Sequence, residues 1–332
     1  MTILGIESSC DETSAGVVRD GVVLSNVISS QLVHTPFGGV VPELASRAHQ
    51  RLIMEVVGEA LTKAGTKKED LDGIAATHGP GLVGALLVGL NFGKAMAYGL
   101  GIPFIGVNHM EGHLYSNLMA PSGHAFPFLA LIVSGGHTML VRVTGPFEHS
   151  VLGQTRDDAA GEAFDKVAKM LGLGYPGGPR IDAMAKSGNP QAIRFPRSYL
   201  DGDTYDFSFS GVKTAVLYHL RDNGLPATDQ AMADLCASFQ DAVVDVLVEK
   251  TVRAARSAGV RDITIAGGVS ANSRLRFRLG DACRQHGFRL SYPSLEYCMD
   301  NGAMIAYVGW MKLTRGIRSP LSLPAVAALD LV

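Results

Sequence analysis

His109 and His113 stand four residues apart in Asn108-His-Met-Glu-Gly-His-Leu-Tyr115. On a helix this spacing puts both imidazoles on one face, about one turn apart, where they can close on a single cation. A zinc protease of the H-E-x-x-H type carries its general-base glutamate directly after the first histidine. Met110 holds that place here, and Glu111 follows one step later. At roughly 100° per residue Glu111 points about 200° away from His109, off the metal face. The pattern is that of a metal site without the protease's base.

Other segments offer complementary chemistry. Asp300, in Met299-Asp300-Asn301-Gly302, precedes a helical stretch from Ala303 to Trp310. It is either that helix's N-cap or a hard oxygen ligand completing a two-histidine, one-carboxylate set with open positions. Asp11 and Glu12 in the first polar turn, and Asp157, Asp158, Glu162 and Asp165 further on, are the remaining acidic candidates. Ser134-Gly135-Gly136-His137 is a short glycine-rich turn whose N–H groups could form an anion nest. Gly172-Leu-Gly174-Tyr-Pro-Gly177-Gly178-Pro-Arg-Ile-Asp182 could lie against a ribose or base, with Asp182 on sugar hydroxyls. Ala266-Gly267-Gly268-Val269-Ser270-Ala271-Asn272 reads as a strand end running into a helix, where an open α/β sheet presents its ligand loops.

The elements that must position these residues follow a repeated plan. Ile3 to Ile6 and Ala15 to Val18 read as strands around the polar turn Glu7 to Thr13, and Asp20-Gly21 makes a tight hairpin before Val22 to Ile28. A helix from Pro42 to Ala64 stops at Gly65. Strand Gly73 to Thr77, helix Val83 to Tyr98, strand Pro103 to Val107 and the histidine helix complete the first half. Near Pro127 the plan restarts, with strands Phe128 to Val133 and Met139 to Val143, later helices, and strand Asp262 to Ala266. The expectation is an α/β chain of two similar lobes with the actin, sugar kinase and Hsp70-like (ASKHA) architecture around a central cleft. The N-terminal lobe, 1–120, would carry the metal-binding histidines, and the C-terminal lobe, 121–332, the nucleotide-binding loops. The final helix could pack back toward the N-lobe. A single doubly wound sheet is disfavoured because the opening hairpins are antiparallel.

Composition sets outer bounds. The 332 residues are 47% apolar and 18% charged, enough for two ordinary cores. The 39 glycines, about 12% of the chain, exceed the usual ~7% and imply close backbone approaches. A net charge of −2 gives no global signature for nucleic acid, so any RNA contact would need a local patch or a partner. Cys10, Cys236, Cys283 and Cys298 lack C-x-x-C spacing, as in a reduced cytoplasmic protein. The N-terminus shows no signal-peptide pattern. Leu82 to Leu100 is interrupted by Asn91 and Lys94, and reads as a buried helix packed closely at Gly89 and Gly93 rather than a membrane span. This helix and the histidine helix, on to Met119, are either candidate partner-binding faces or packed within the N-terminal lobe.

Taken together, the chain closely resembles the bacterial tRNA N6-adenosine threonylcarbamoyltransferases (TsaD family), long labelled O-sialoglycoprotein endopeptidases. The resemblance rests on Glu7-Ser-Ser-Cys-Asp-Glu-Thr-Ser14, Gly38-Gly-Val-Val-Pro-Glu-Leu-Ala-Ser-Arg47, Gly79-Pro-Gly-Leu-Val-Gly84 and the His109–His113 segment. Val133-Ser-Gly-Gly-His137, Asp157-Asp-Ala-Ala-Gly-Glu-Ala-Phe-Asp-Lys166, Tyr175-Pro-Gly-Gly-Pro179, Phe207-Ser-Phe-Ser-Gly211, Gly267-Gly-Val-Ser-Ala-Asn272 and Asp300-Asn301 add to it. By that resemblance, His109, His113 and Asp300 match metal ligands, for one divalent ion per chain, iron first and zinc second. Val133, Ser134, Gly135, Gly136, His137, Asp165, Gly178, Asp182 and Asn272 match positions holding threonylcarbamoyl-AMP, and Asp11 matches a turn aspartate near the reacting centre. The implied reaction moves the threonylcarbamoyl group to the N6 amine of the adenosine 3′ to the anticodon, in tRNAs reading codons that begin with A. The implied partners are tRNA, a smaller actin-like-fold protein of the TsaB type, a separate TsaE-type ATPase, and a synthase supplying the adenylate, with no membrane.

Two other functions compete. A metalloprotease would need a base where Met110 stands. An actin-like ATP-dependent clamp or kinase would have no need of the histidine pair.

Overall fold

The computed structural model describes all residues except 32, 33, 35, 36, 38, 120–125, 200–203 and 332. Gly38 of the second motif and the expected lobe boundary at 120/121 therefore lie outside the described residues. The chain divides into two compact units, Met1–Gly123 with Pro293–Leu331, and His124–Tyr292.

In the first unit, strands β1 (Thr2–Glu7), β2 (Glu12–Arg19), β3 (Val22–Ser30), β4 (Gly73–Gly79) and β5 (Phe104–Asn108) form one sheet in the order β3-β2-β1-β4-β5. The first three strands are antiparallel neighbours, and β4 and β5 join in parallel. Asp20 and Gly21 both take positive φ at the hairpin tip, the geometry a two-residue turn of this hand requires. Helices α1 (Pro42–Lys63) and α2 (Val83–Leu100) cover one face. There Leu4, Ile6, Ile53, Val56, Ile74 and Leu90 share a core. Helix α3 (His109–Tyr115) follows β5 directly.

Helix α9 (Gly302–Leu313) packs against β1, β2 and β4. Glycines set how near it comes. A Cβ on Gly5 would stand 2.2 Å from the Ala306 nitrogen, one on Gly16 2.5 Å from the Ala303 nitrogen, and one on Gly302 2.4 Å from Ala15. No larger residue fits at this backbone-to-backbone contact. The expectation ran the second lobe to residue 332 while allowing the last helix to pack back. The glycine seat explains why Pro293–Leu331 groups with the first unit.

Two details of this unit bear on partner surfaces. Helix α2 is long and apolar enough to cross a bilayer by length and composition, yet its Ala85, Leu86, Gly89, Leu90, Gly93 and Ala97 stripe is buried and it packs against β4 and α1. Its outer side leaves Val83, Leu87 and Tyr98 exposed, as α1 leaves Met54. By contrast, all seven residues of α3 are buried, as are Ser116 and Asn117. The histidine helix thus packs within its unit, one of the two readings of this stretch, while Leu118 and Met119 stay half-buried.

The second unit repeats the plan. Strands β6 (Phe128–Val133), β7 (Thr138–Gly145) and β8 (Glu148–Gln154) run antiparallel, and β9 (Asp262–Ala266) and β10 (Arg289–Ser291) join in parallel, in the order β10-β9-β6-β7-β8. The sequence reading missed β8, whose half-exposed residues lack a clean alternation. Four helices, α4 (Ala160–Met170), α5 (Gly177–Ala185), α6 (Ser210–Asn223) and α7 (Asp229–Ala258), stand where the first unit has, among the described residues, the single α-helix α1. Helix α8 (Ser273–His286) links the last two strands. The buried core joins Leu129, Leu131, Phe164, Phe207, Phe239 and Ile265.

Candidate functional site

Helix α3 starts where Asn108 caps it, its Oδ1 accepting from the Met110 nitrogen at 2.8 Å, a bond that satisfies one of the helix's orphan donors. The same side chain donates to the Asp330 carbonyl at 2.9 Å. One turn of helix then brings the His109 and His113 rings together edge to face, with centroids 4.8 Å apart. A Cβ on Gly112 would already press on Met304 and Ile305, so α3 lies hard against α9.

The opposing carboxylate comes from the residue before the α9 cap. Asn301, not Asp300, caps this helix, its Oδ1 accepting from the Met304 nitrogen at 2.9 Å. Asn301 also donates to the Met299 carbonyl, and the Gly302 nitrogen donates to Ser14 Oγ. The cap duty thus falls on the neighbour, and Asp300 turns to the histidines. Its Oδ1 is 3.0 Å from His113 Nε2 and 3.4 Å from His109 Nε2. The three ligand atoms lie within 4.8 Å of one another. Ligand atoms around a tetrahedral zinc at ~2.0–2.1 Å sit about 3.3 Å apart; the two Asp300–histidine separations are near this value, and the widest pair would have to draw in to share an ion. Two imidazoles and one carboxylate suit zinc or ferrous iron and leave positions open.

Electrostatics tie the three together. Burial opposes charge on His109, but Asp300 and Glu7 outweigh it and raise its pKa well above the usual value. Burial likewise opposes charge on Asp300, and the two histidines hold it well below the carboxylate range. An ion must displace the proton that this arrangement favours.

Glu7, at the end of β1, is the residue the sequence reading passed over. Ile3, Gly5 and Glu7 alternate onto one face of β1, and Gly5 is where α9 sits on that face. Glu7 is fully buried, with Oε2 3.0 Å from His109 Nδ1. Burial raises the cost of its charge, yet His109 and the Thr77 hydroxyl leave its pKa lowered. The available signal was a carboxylate ending an otherwise apolar strand, a position that demands a buried partner.

Asp11 lies on the turn between β1 and β2. His49 of α1 holds this turn: its Nε2 donates to the Cys10 carbonyl at 2.9 Å and its Nδ1 pairs with Thr13 Oγ1 at 2.8 Å. From the other side, the Leu82 nitrogen donates to the Ser9 carbonyl, and Gly81 passes so close that a Cβ would meet that oxygen at 2.6 Å. Burial, with Asp300 and Asp11, pushes the Glu12 carboxyl well above its usual range.

The glycine segments are gathered in the second unit. Val133 ends β6, and the Ser134 nitrogen donates to the His137 carbonyl while the His137 nitrogen donates to Ser134 Oγ. Gly135 and Gly136 face open space. Gly267, at a positive φ, backs onto the Val133 carbonyl, and Gly161 onto that of Ser134. Asp165 accepts from the Gly177 nitrogen at 2.7 Å, beside Gly178, where a side chain would meet Phe164 only at 4.0 Å. Asp182 accepts from the Ser273 hydroxyl and nitrogen. Asn272 caps α8 and donates to Gln240. Each polar residue expected at the substrate therefore also fixes the end of an element.

A carboxylate-and-imidazole cluster beside one five-stranded sheet, and glycine turns at the ends of a second sheet of the same topology, define an ASKHA-type α/β protein. Solved structures agree on the fold. Full-length HypF in its phosphate- and nucleotide-bound form matches with a TM-score of 0.65 at 14% identity, over 96% of this chain and 47% of that one. An activator of 2-hydroxyisocaproyl-CoA dehydratase from Clostridium difficile with bound ADPNP matches with a TM-score of 0.52 at 13% identity, over 96% and 99%.

The chain belongs to the TsaD family, tRNA N6-adenosine threonylcarbamoyltransferase, whose profile matches residues 22–307. It is 56% identical to the tRNA N6-adenosine threonylcarbamoyltransferase of Salinibacter ruber over the whole of both chains. It is 54% identical to that of Symbiobacterium thermophilum, over 99% of this chain and 96% of the relative.

Proposed function

We propose that this chain transfers a threonylcarbamoyl group from threonylcarbamoyl-AMP to the N6 amine of the adenosine 3′ to the anticodon, in tRNAs reading codons that begin with A. Family membership supports the reaction. The observation that carries the site is the meeting of His109, His113 and Asp300 on neighbouring helices.

In this reading the two histidines and Asp300 hold one divalent ion, iron or zinc. Such an ion would supply Lewis acidity toward the carbamoyl carbonyl. The Val133–His137 turn and Gly178 leave room for the adenylate's backbone-bound groups, while Asp165, Asp182 and Asn272 present acceptors and an amide to it. Attack by N6 forms the carbamoyl C–N bond and breaks the C–O bond to phosphate. AMP departs with the bonding pair, and the N6 proton leaves to a base. Asp11, on a turn pinned by His49 and Gly81, is our candidate to orient the amine or take that proton.

The structure offers nothing to a protease at Glu111, whose carboxylate pairs with Lys312 at 2.6 Å. We assign tRNA loading to partners, because the chain's net charge is −2. The exposed apolar side of α2, with Val83, Leu87 and Tyr98, is the face we assign to a TsaB-type protein. A TsaE-type ATPase and an adenylate synthase would complete the system in the cytoplasm, a reading in keeping with four free cysteines.

The test supplies threonylcarbamoyl-AMP, tRNA and a protein substrate side by side to the chain with its partners. Modified adenosine that is lost in His109→Ala and kept in Glu111→Gln is expected. Peptide cleavage that depends on Glu111 would overturn the assignment.

A further inference from the structure

Glu7 carries more than its own burial. Its two oxygens receive three donors: the Ser9 nitrogen on Oε1 at 2.5 Å, and the Thr77 hydroxyl and His109 Nδ1 on Oε2 at 2.5 and 3.0 Å. Ser9 Oγ stands 3.2 Å from the same imidazole nitrogen. The Nδ1 side of His109 is therefore closed to any ion, and Nε2 alone faces Asp300. His113 contrasts: its Nδ1 is buried with no hydrogen-bond partner among the described residues.

We infer that Glu7 is a positioning residue that keeps the His109 proton on Nδ1, so that the Nε2 lone pair is presented to the metal. This rests on the metal centre proposed above. A carboxylate only accepts, so the proton between the two must sit on Nδ1. Such acid–imidazole pairs behind a metal ligand fix its tautomer and ring orientation, and their loss costs about 10–100-fold in metal affinity. Glutamine cannot substitute. With its NH2 toward Ser9, two donors collide. With its NH2 toward His109, Nδ1 must accept, and the proton moves to Nε2, where the ion would bind.

The test uses the full-length chain and Zn2+ as probe, in competition with a chromophoric chelator. Glu7→Gln should bind zinc about 10–100-fold more weakly than the wild type, and Thr77→Val, which removes one support of Glu7, a few-fold more weakly. Long-range proton–nitrogen spectra of the zinc-loaded wild type, with signals assigned by His109→Ala, should show His109 protonated at Nδ1 and metallated at Nε2. These spectra decide the matter even if Glu7→Gln does not fold. Wild-type zinc affinity in folded Glu7→Gln, or a His109 protonated at Nε2, would overturn the role of Glu7 and leave the metal centre standing. A wild type that takes up no zinc would overturn both.

Discussion

The two units share a sheet topology and use it in opposite ways. In the first, the turn after the central strand, Glu7-Ser-Ser-Cys-Asp-Glu12, is long, rich in carboxylates, and pinned by His49 on one side and Gly81 on the other. In the second, the equivalent turn Ser134-Gly-Gly-His137 is short, and a side chain at Gly135 or Gly136 would point into open space. One unit gathers polar side chains held rigid by burial. The other offers backbone held in shape by neighbouring glycines. On the function proposed above, the duplicated plan would divide labour between holding a cation and cradling an anion without changing strand order.

The contrast can be broken most strongly at the metal cluster. His113→Ala should lower zinc content and cut transfer by about a thousandfold, if the ion contributes about 4 kcal/mol. Nucleoside mass spectrometry beside metal analysis would show it. Next in size is stability at the α9 seat. Gly5→Ala forces a Cβ against the Ala306 backbone and should cost at least about 3 kcal/mol in denaturant unfolding. The equivalent insertion at Gly135, in open space, should leave stability within about 0.5 kcal/mol.

In the second unit, Asp182→Ala removes its bond to Ser273 and, on the proposed function, its contact with the substrate. We expect KM for the adenylate to rise about tenfold with kcat little changed. An unchanged KM would confine Asp182 to its structural bond.

A smaller effect concerns pH in the metal-free chain. His109 has a raised folded pKa, so its contribution is complete below the unfolded value near 6.5 and is lost as pH rises through the folded value. Asp300 and Glu7 have lowered values, so theirs are present above the unfolded carboxylate range and are lost as pH falls through the folded values. Melting of chelator-treated protein should therefore decline from neutral to alkaline pH. Zinc should restore more stability the higher the pH, because the ion takes the place of the proton. A zinc increment independent of pH would contradict that account.

Smallest is Glu111→Gln. It should keep its metal and cost about 1–2 kcal/mol through the weakened contact with Lys312.

Much of this was legible in the sequence, and the exceptions share a cause. The histidine pair, the strand–turn–strand openings and the three glycine segments follow from spacing and turn chemistry, which are local. Glu7 was passed over because its partner lies 102 residues away. Asp300 could be read as a cap or as a ligand because the sequence cannot say which of Asp300 and Asn301 turns inward, and α9 settles this by where Gly302 meets Ser14. The histidine helix looked like a possible partner face because its burial comes from α9, which follows it by nearly two hundred residues.

On the proposed function, a metal ion held by His109, His113 and Asp300 supports threonylcarbamoyl transfer. The most direct measurement strips the wild-type chain of metal, reloads it stepwise with iron or zinc in the presence of its partners, and counts modified adenosines per chain by nucleoside mass spectrometry. The account predicts that turnover rises in proportion to bound metal and saturates at one ion per chain, while His113→Ala gains nothing on reloading. Full turnover by a chain shown to be metal-free would contradict it.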